Sequence, residues 1–123
     1  MNLNQLRDRA WQIAEDKGFN EANLEIGTKL MLVVSELGEA MEALRSDKRS
    51  YPDVFSGILS QLHYKSNPGD FKRDIKDTFE DEIADAIIRL LHLCGCEGID
   101  IQSHVIAKMN YNDTRDRKHG KEF

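Results

Sequence analysis

The stretch VVSELGEAMEALR, Val33 to Arg45, decides the reading of the fold. It is mostly apolar and reads as a helix. Yet it sets Glu36 and Glu39 three residues apart among leucines, valines and alanines. Like charges at that spacing repel and weaken a helix slightly. A helix that looks buried and still carries them needs a reason.

A step of about 100° per residue places Leu30, Val33, Val34, Leu37, Ala40, Met41 and Leu44 on one broad stripe, the expected core face. Glu36 and Glu39 lie off it, about 60° apart, beside Leu32 and Ala43. Lys29 shares their column two turns earlier. The helix is thus apolar on a second side as well, and that side carries the acids, where a simple surface helix is polar. A later helix repeats the pattern. Its expected core stripe is Ile83, Ile87, Leu90, Leu91 and Cys94, and off it lie Glu82 and Asp85, again three apart, with Arg89 following on their face and Ala86 and Leu93 flanking. If the two acid faces meet, four carboxylates converge, and uncompensated they are prohibitive in a partly dry space. A hard divalent cation with oxygen ligands resolves the conflict. Mg²⁺ fits best where water and phosphate oxygens complete its shell, with Mn²⁺ a substitute. Against this stands the ordinary reading of acidic helix residues as solvated. Asp85 and Arg89 form a routine i,i+4 pair worth a few tenths of a kcal/mol, and one such acid pair alone is surface decoration. Two pairs, both beside apolar residues, favour a site. Glu42, on a more polar side near Arg45, reads as solvated, and Glu80 and Asp81 share Asp85's face less well than Glu82 does.

Outward from these helices, Leu3, Leu6, Ala10, Ile13 and Ala14 predict a first helix stopped at Gly18. The second runs from about Leu24 to Ser46. Its glycines 27 and 38 weaken it, unless Gly38 admits a close neighbour. Residues 47–70 are looser, with turn signals in SDKRSYPD and KSNPGD around a short amphipathic segment, Val54, Phe55, Ile58, Leu59 and Leu62. The helical period returns from Phe71 and ends near CGCEG, and a fourth helix covers Asp100 to Asn112. Residues 113–123 form a polar, basic, flexible tail. No strand alternation appears, so the expectation is a single all-α, four-helix-bundle domain over residues 1–123.

The 123 residues are one domain's worth, 40% hydrophobic and 32% charged. No apolar run approaches a membrane span, and the N-terminus has no signal-peptide hydrophobic region. The two cysteines, Cys94 and Cys96, are too close for a structural disulfide and predict reduced thiols and a cytoplasmic home. A net charge of −5 argues against binding a nucleic-acid polymer. It is compatible with an anionic substrate when a cation lies between.

The segments SELGEAMEALR, EDEIADAIIRLLH and KMNYNDTRDRKHGKEF resemble the MazG-like nucleotide pyrophosphohydrolases of the all-α NTP pyrophosphatase superfamily. That family carries ExxE on one helix and ExxD on the next, matched by Glu36–Glu39 and Glu82–Asp85. A lysine and an asparagine near the end of the last helix are matched by Lys108 and Asn112, and HGK follows. The likeness covers roughly residues 24–45 and 79–121. The gap between the acid pairs is longer than in compact members, and its extra material, SYPDVFSGILSQLHYKSNPGD, is a lid, a dimer contact or a specificity element. The resemblance implies Mg²⁺-dependent hydrolysis of a nucleoside triphosphate to the monophosphate and pyrophosphate, clearing non-canonical or surplus nucleotides. Glu36, Glu39, Glu82 and Asp85 would hold the metal, and Glu39 would also orient or deprotonate water. Lys108 would bind phosphate as a point charge, Asn112 phosphate or sugar, and Arg115, Lys118 and Lys121 would close from the tail, with Lys29 a further substrate contact. The family is oligomeric, and an apolar second side on the central helix points the same way, to a homodimer or homotetramer. The rival is a non-catalytic helical oligomer that binds nucleotide or regulates.

Trp11 reads as a core or interface anchor more than a base-stacking ring. His92, Cys94 and Cys96 suggest a soft-metal site, but no second Cys/His cluster completes a tetrahedron, and buried small hydrophobes are the better reading. Tyr111 packs under a base or closes the bundle. His63 and His104 have no evident partners, and His119 reads as a surface residue of the tail.

Overall fold

The computed structural model describes residues 1–59 and 68–122, with the side chains of residues 58, 59, 68 and 119 left aside. The readings of Leu62, His63 and the side chains of Ile58, Leu59 and His119 fall outside this description. All regular structure among the described residues is helical: α1 (Leu3–Asp16), α2 (Ile26–Arg45), α3 (Pro52–Leu59), α4 (Pro68–Asp74), α5 (Phe79–Glu97) and α6 (Ile101–Asp113), with 3₁₀ turns at Phe19–Ala22 and Arg117–Gly120. None of these helices is long and apolar enough to cross a membrane. The chain divides into two compact units, Leu24–Leu90 and Met1–Asn23 with Leu91–Phe123.

The unit Leu24–Leu90 contains α2, α3, α4 and the first turns of α5. The helix expected from Phe71 is broken. Periodicity runs unbroken through Ile75, Phe79 and Ile83, but the backbone turns at Asp77, where φ is 66°. Thr78 then caps α5, its Oγ1 accepting from Asp81 N at 3.2 Å and donating to Ile75 O at 2.7 Å. The start of α5 is also tied to the chain just beyond α2. Phe79 N donates to Lys48 O at 2.8 Å. Glu80 accepts from Arg49 Nε and from Ser50 N, both at 2.8 Å, and the Arg49 guanidinium lies 5.1 Å from the Phe79 ring centre.

The faces of α2 follow the expectation only in part: of the expected core stripe, Val33 and Ala40 are buried. Val33, Glu36, Ala40 and Ala43 are buried, whereas Leu30, Val34, Leu37, Met41 and Leu44 keep 44–52% of their surface exposed. Glu36 turns inward with Val33 and Ala40, while the larger residues of the stripe and Glu39 stay outward. In α5 a similar mix holds up to Leu90: Glu82 and Ala86 are buried while Ile87 and Leu90 are exposed. Of the remaining stripe residues, Ile83 is half-buried and Leu91 and Cys94 are buried as expected. A Cβ added at Gly38 would meet nothing within 4 Å among the described residues, so this glycine serves no close approach there.

In the other unit, α1 opens with a capping box. Asn2 Oδ1 accepts from Gln5 N, and Gln5 Oε1 accepts from Asn2 N. The helix closes at Gly18, with φ 81°. The N-terminal ends of α1 and α6 interlock. Leu3 N donates to Gln102 Oε1, Gln102 N to Asn4 Oδ1, and Asn4 Nδ2 to the α6 cap Asp100. Hydrogen bonds from Asn4 and Ser103 hold the Asp100 carboxyl down at about 2. Arg7 adds a 2.6 Å bond to Ile99 O. Trp11 packs on α5 at Gly95, where an added Cβ would meet Trp11 Cβ at 3.0 Å, so the close approach offered by a helical glycine is here.

Candidate functional site

Residues 36 and 82 face inward from two helices of one unit, and their carboxylates meet. One oxygen from each of Glu36, Glu82 and Asp85 lies within 4.8 Å of the others. Glu36 and Glu82 are 7% and 5% exposed, and Asp85 is half-buried. Glu39 is exposed at the rim, yet within hydrogen-bonding reach of both Glu36 and Glu82.

Electrostatics separates the members. Burial first, then the hydrogen bond with Glu39 and the charges of Glu39, Asp85 and Glu36, push the Glu82 carboxyl up to about 7. Asp85 is raised for the same kind of reason, by burial and by the charges of Asp81 and Glu36, which outweigh nearby Arg89. Glu36 goes the other way. Burial opposes its ionisation, but the Arg89 hydrogen bond, with those of Glu39 and Glu82, holds it below the usual range. Glu36 and Glu82 thus shift in opposite directions, as expected for carboxylates forced together. Even so, Glu82 Oε2 is buried and receives no hydrogen bond from the described residues. A buried acceptor without a donor costs about 1–3 kcal/mol, and it needs an explanation.

Helical spacing pairs Arg89 with Asp85, one turn earlier. Its ion pair is instead with Glu36 on α2, Nε to Oε1 at 2.6 Å. The signal is in the sequence, since Arg89 falls on the face of Glu82, but which acid it takes depends on the packing of two helices. A second acidic grouping, Asp77, Asp81 and Glu82, has a local explanation. Asp81 occupies the first turn of α5 and accepts from Asp77 N at 2.9 Å, so it serves the helix start, where negative charge is favourable.

The remaining predicted residues are placed as follows. Lys29 is half-buried on the face of Glu36. Lys108, Asn112, Arg115 and Lys121 belong to the other unit. There Lys108 Nζ and the Arg115 guanidinium lie 5.2 Å and 5.5 Å from the Tyr111 ring centre, Asn112 Oδ1 is buried without a partner among the described residues, and Lys121 is exposed. His92 and Cys96 meet at 3.5 Å, and His92 Nε2 lies 2.6 Å from Asn20 Oδ1. Both contacts use one ring nitrogen, so they do not form a relay. Cys94 and Cys96 are free thiols.

Three carboxylates with hard oxygen donors, one of them an orphaned buried acceptor, suit a hard divalent cation. An uncompensated cluster of this kind favours protonation, the direction in which Glu82 and Asp85 are pushed. Comparison with family models, with curated proteins and with solved structures finds no match to this chain.

Proposed function

We propose that the chain is a divalent-metal-dependent nucleotide pyrophosphohydrolase, a MazG-like helical bundle that cleaves a nucleoside triphosphate to the monophosphate and pyrophosphate. The observation that carries this reading is Glu82 Oε2, buried without a donor where the carboxylates of Glu36, Glu82 and Asp85 converge. The order of the acids, ExxE then ExxD, adds the phosphate chemistry through its resemblance to that family.

In this reading Glu36, Glu82 and Asp85, joined by Glu39 from the rim, would hold Mg²⁺ or Mn²⁺. When bound, the ion supplies charge neutralisation for phosphate oxygens and lowers the pKa of water. Phosphoryl transfer asks mostly for positioning and charge stabilisation. Glu39, exposed and within reach of its neighbours, orients the attacking water and takes its proton. The water oxygen bonds to the α phosphorus as the bond from that phosphorus to the α–β bridging oxygen breaks, and pyrophosphate leaves with the bridging oxygen. Lys108, Asn112, Arg115 and Lys121, with Lys29, are the proposed contacts to phosphate and sugar. We place the protein in the cytoplasm, where two free thiols persist. The active species is a homo-oligomer, supported by the exposed apolar stripe of α2.

Pyrophosphate release from a panel of canonical and modified nucleoside triphosphates, with Mg²⁺ and with EDTA, tests the reading. The expected result is Mg²⁺-dependent release that falls at least ~100-fold in Glu39→Gln, the scale of a lost general base. Folded protein that releases no pyrophosphate from any nucleotide would sink the hydrolase reading and leave a nucleotide-binding or regulatory module.

A further inference from the structure

Arg89 contributes the one ion pair found at the acid cluster among the described residues, and it takes an oxygen of Glu36 at 2.6 Å. The contact is a single hydrogen bond through Nε, not the bidentate fork that makes arginine–carboxylate pairs most persistent. The two partners are also unequal. The Glu36 side chain is 9% exposed and that of Arg89 is 41% exposed. The guanidinium can therefore retreat into water at little desolvation cost, while Glu36 has no such alternative. The same Glu36 carboxylate lies within the 4.8 Å grouping with Glu82 and Asp85. A guanidinium and a divalent ion on one buried carboxylate repel each other strongly at reduced dielectric.

We propose that Arg89 is a built-in competitor for the cation site. The guanidinium and the divalent ion hold Glu36 in exchange, so that loading the site releases Arg89 from it. The inference rests on the metal-site reading above and adds its regulation: the arginine sets a threshold on cation affinity. It also keeps Glu36 aimed into the site while the cation is away. A fixed clamp, in which Arg89 holds Glu36 in place for the ion, makes the opposite prediction.

The test is Mn²⁺ binding by calorimetry at constant ionic strength, on wild type, Arg89→Gln, Arg89→Lys and Glu82→Gln. Exchange predicts that Arg89→Gln binds Mn²⁺ at least ~10-fold more tightly, because a positive charge beside the ion is gone, with Arg89→Lys between. Unchanged or weaker binding in Arg89→Gln overturns the exchange and favours the clamp. Glu82→Gln separates the two readings. If it loses Mn²⁺ while Arg89→Gln fails to tighten it, the metal site stands and only the exchange falls. If wild type does not bind, or Glu82→Gln binds equally well, both fall. Should Arg89→Gln not fold, the wild type answers alone. The Arg89 Nε–H proton should be protected from solvent exchange in EDTA and lose that protection at saturating Mg²⁺. An unchanged signal overturns the proposal.

Discussion

Glu82 concentrates the conflict in one side chain. A carboxyl pushed up to about 7 binds its proton more tightly in the folded than in the unfolded chain, where it titrates near 4.5. In a chelator, its contribution to stability is complete below about pH 4.5 and is lost as pH rises through about 7. Asp85 shifts in the same direction. Glu36 shifts oppositely, and its contribution fades only at lower pH. The melting temperature in EDTA should therefore fall from about pH 5 to about pH 8. Glu82→Gln, which mimics the protonated acid, should flatten that slope and melt higher than wild type at the alkaline end. Parallel profiles for the two proteins would show that Glu82 is not the group responsible. The sequence disclosed which acids share a face, since that is arithmetic on steps of about 100°. It did not disclose that Glu36 and Glu82 shift in opposite directions, because that follows from Arg89 reaching Glu36 across two helices.

At the scale of elements, helix positions were legible and helix faces were not. The stop at Gly18 and a helix start near Asp100 were legible, whereas the capping roles of Asn2 and Asp100 emerge from the structure. The break before α5 was hidden because Ile75 and Phe79 keep the helical period while Thr78 stops it by capping. The mixed burial of α2 has a deeper cause. Reading faces by apolar size assumes that the largest residues go inward, whereas here Glu36 is buried beside Val33 and Ala40, with its charge met by Arg89. Glycines divide along the same line. Gly38→Ala, in a helix interior with nothing near the new methyl, should stabilise by up to about 1 kcal/mol. Gly95→Ala gains the same propensity but drives a methyl to 3.0 Å from Trp11 Cβ. That atom is fixed close to the α1 backbone, so crowding of about 1–3 kcal/mol should win. Thermal melts of the two variants should move in opposite directions.

For the whole molecule, the exposed stripe is the feature to explain. Leu30, Val34, Leu37, Met41 and Leu44 repeat along α2 and remain 44–52% exposed. An apolar stripe of this length marks an interaction surface, and a second copy offers the same stripe for a two-fold pairing. Leu37→Glu should shift the mass measured by light scattering toward the monomer at micromolar protein. Glu42→Ala, at a solvated ion pair with Arg45, should leave it unchanged. A monomeric wild type would remove the dimer from the proposal. The all-helical class was readable from the missing strand alternation alone. Which apolar surface stays outside was not, because sequence periodicity describes one helix at a time.

The ties between residues 48–50 and 79–80 have an evolutionary and engineering consequence. They bring the two ends of segment 51–77 together independently of what lies between. Closing a chain costs only about 0.6 kcal/mol more for each doubling of its length. A change of length between residues 51 and 74 should therefore cost little in chain entropy, while Ile75, 4% exposed, and the turn at Asp77 and Thr78 stay fixed and the acids of α2 and α5 keep their register.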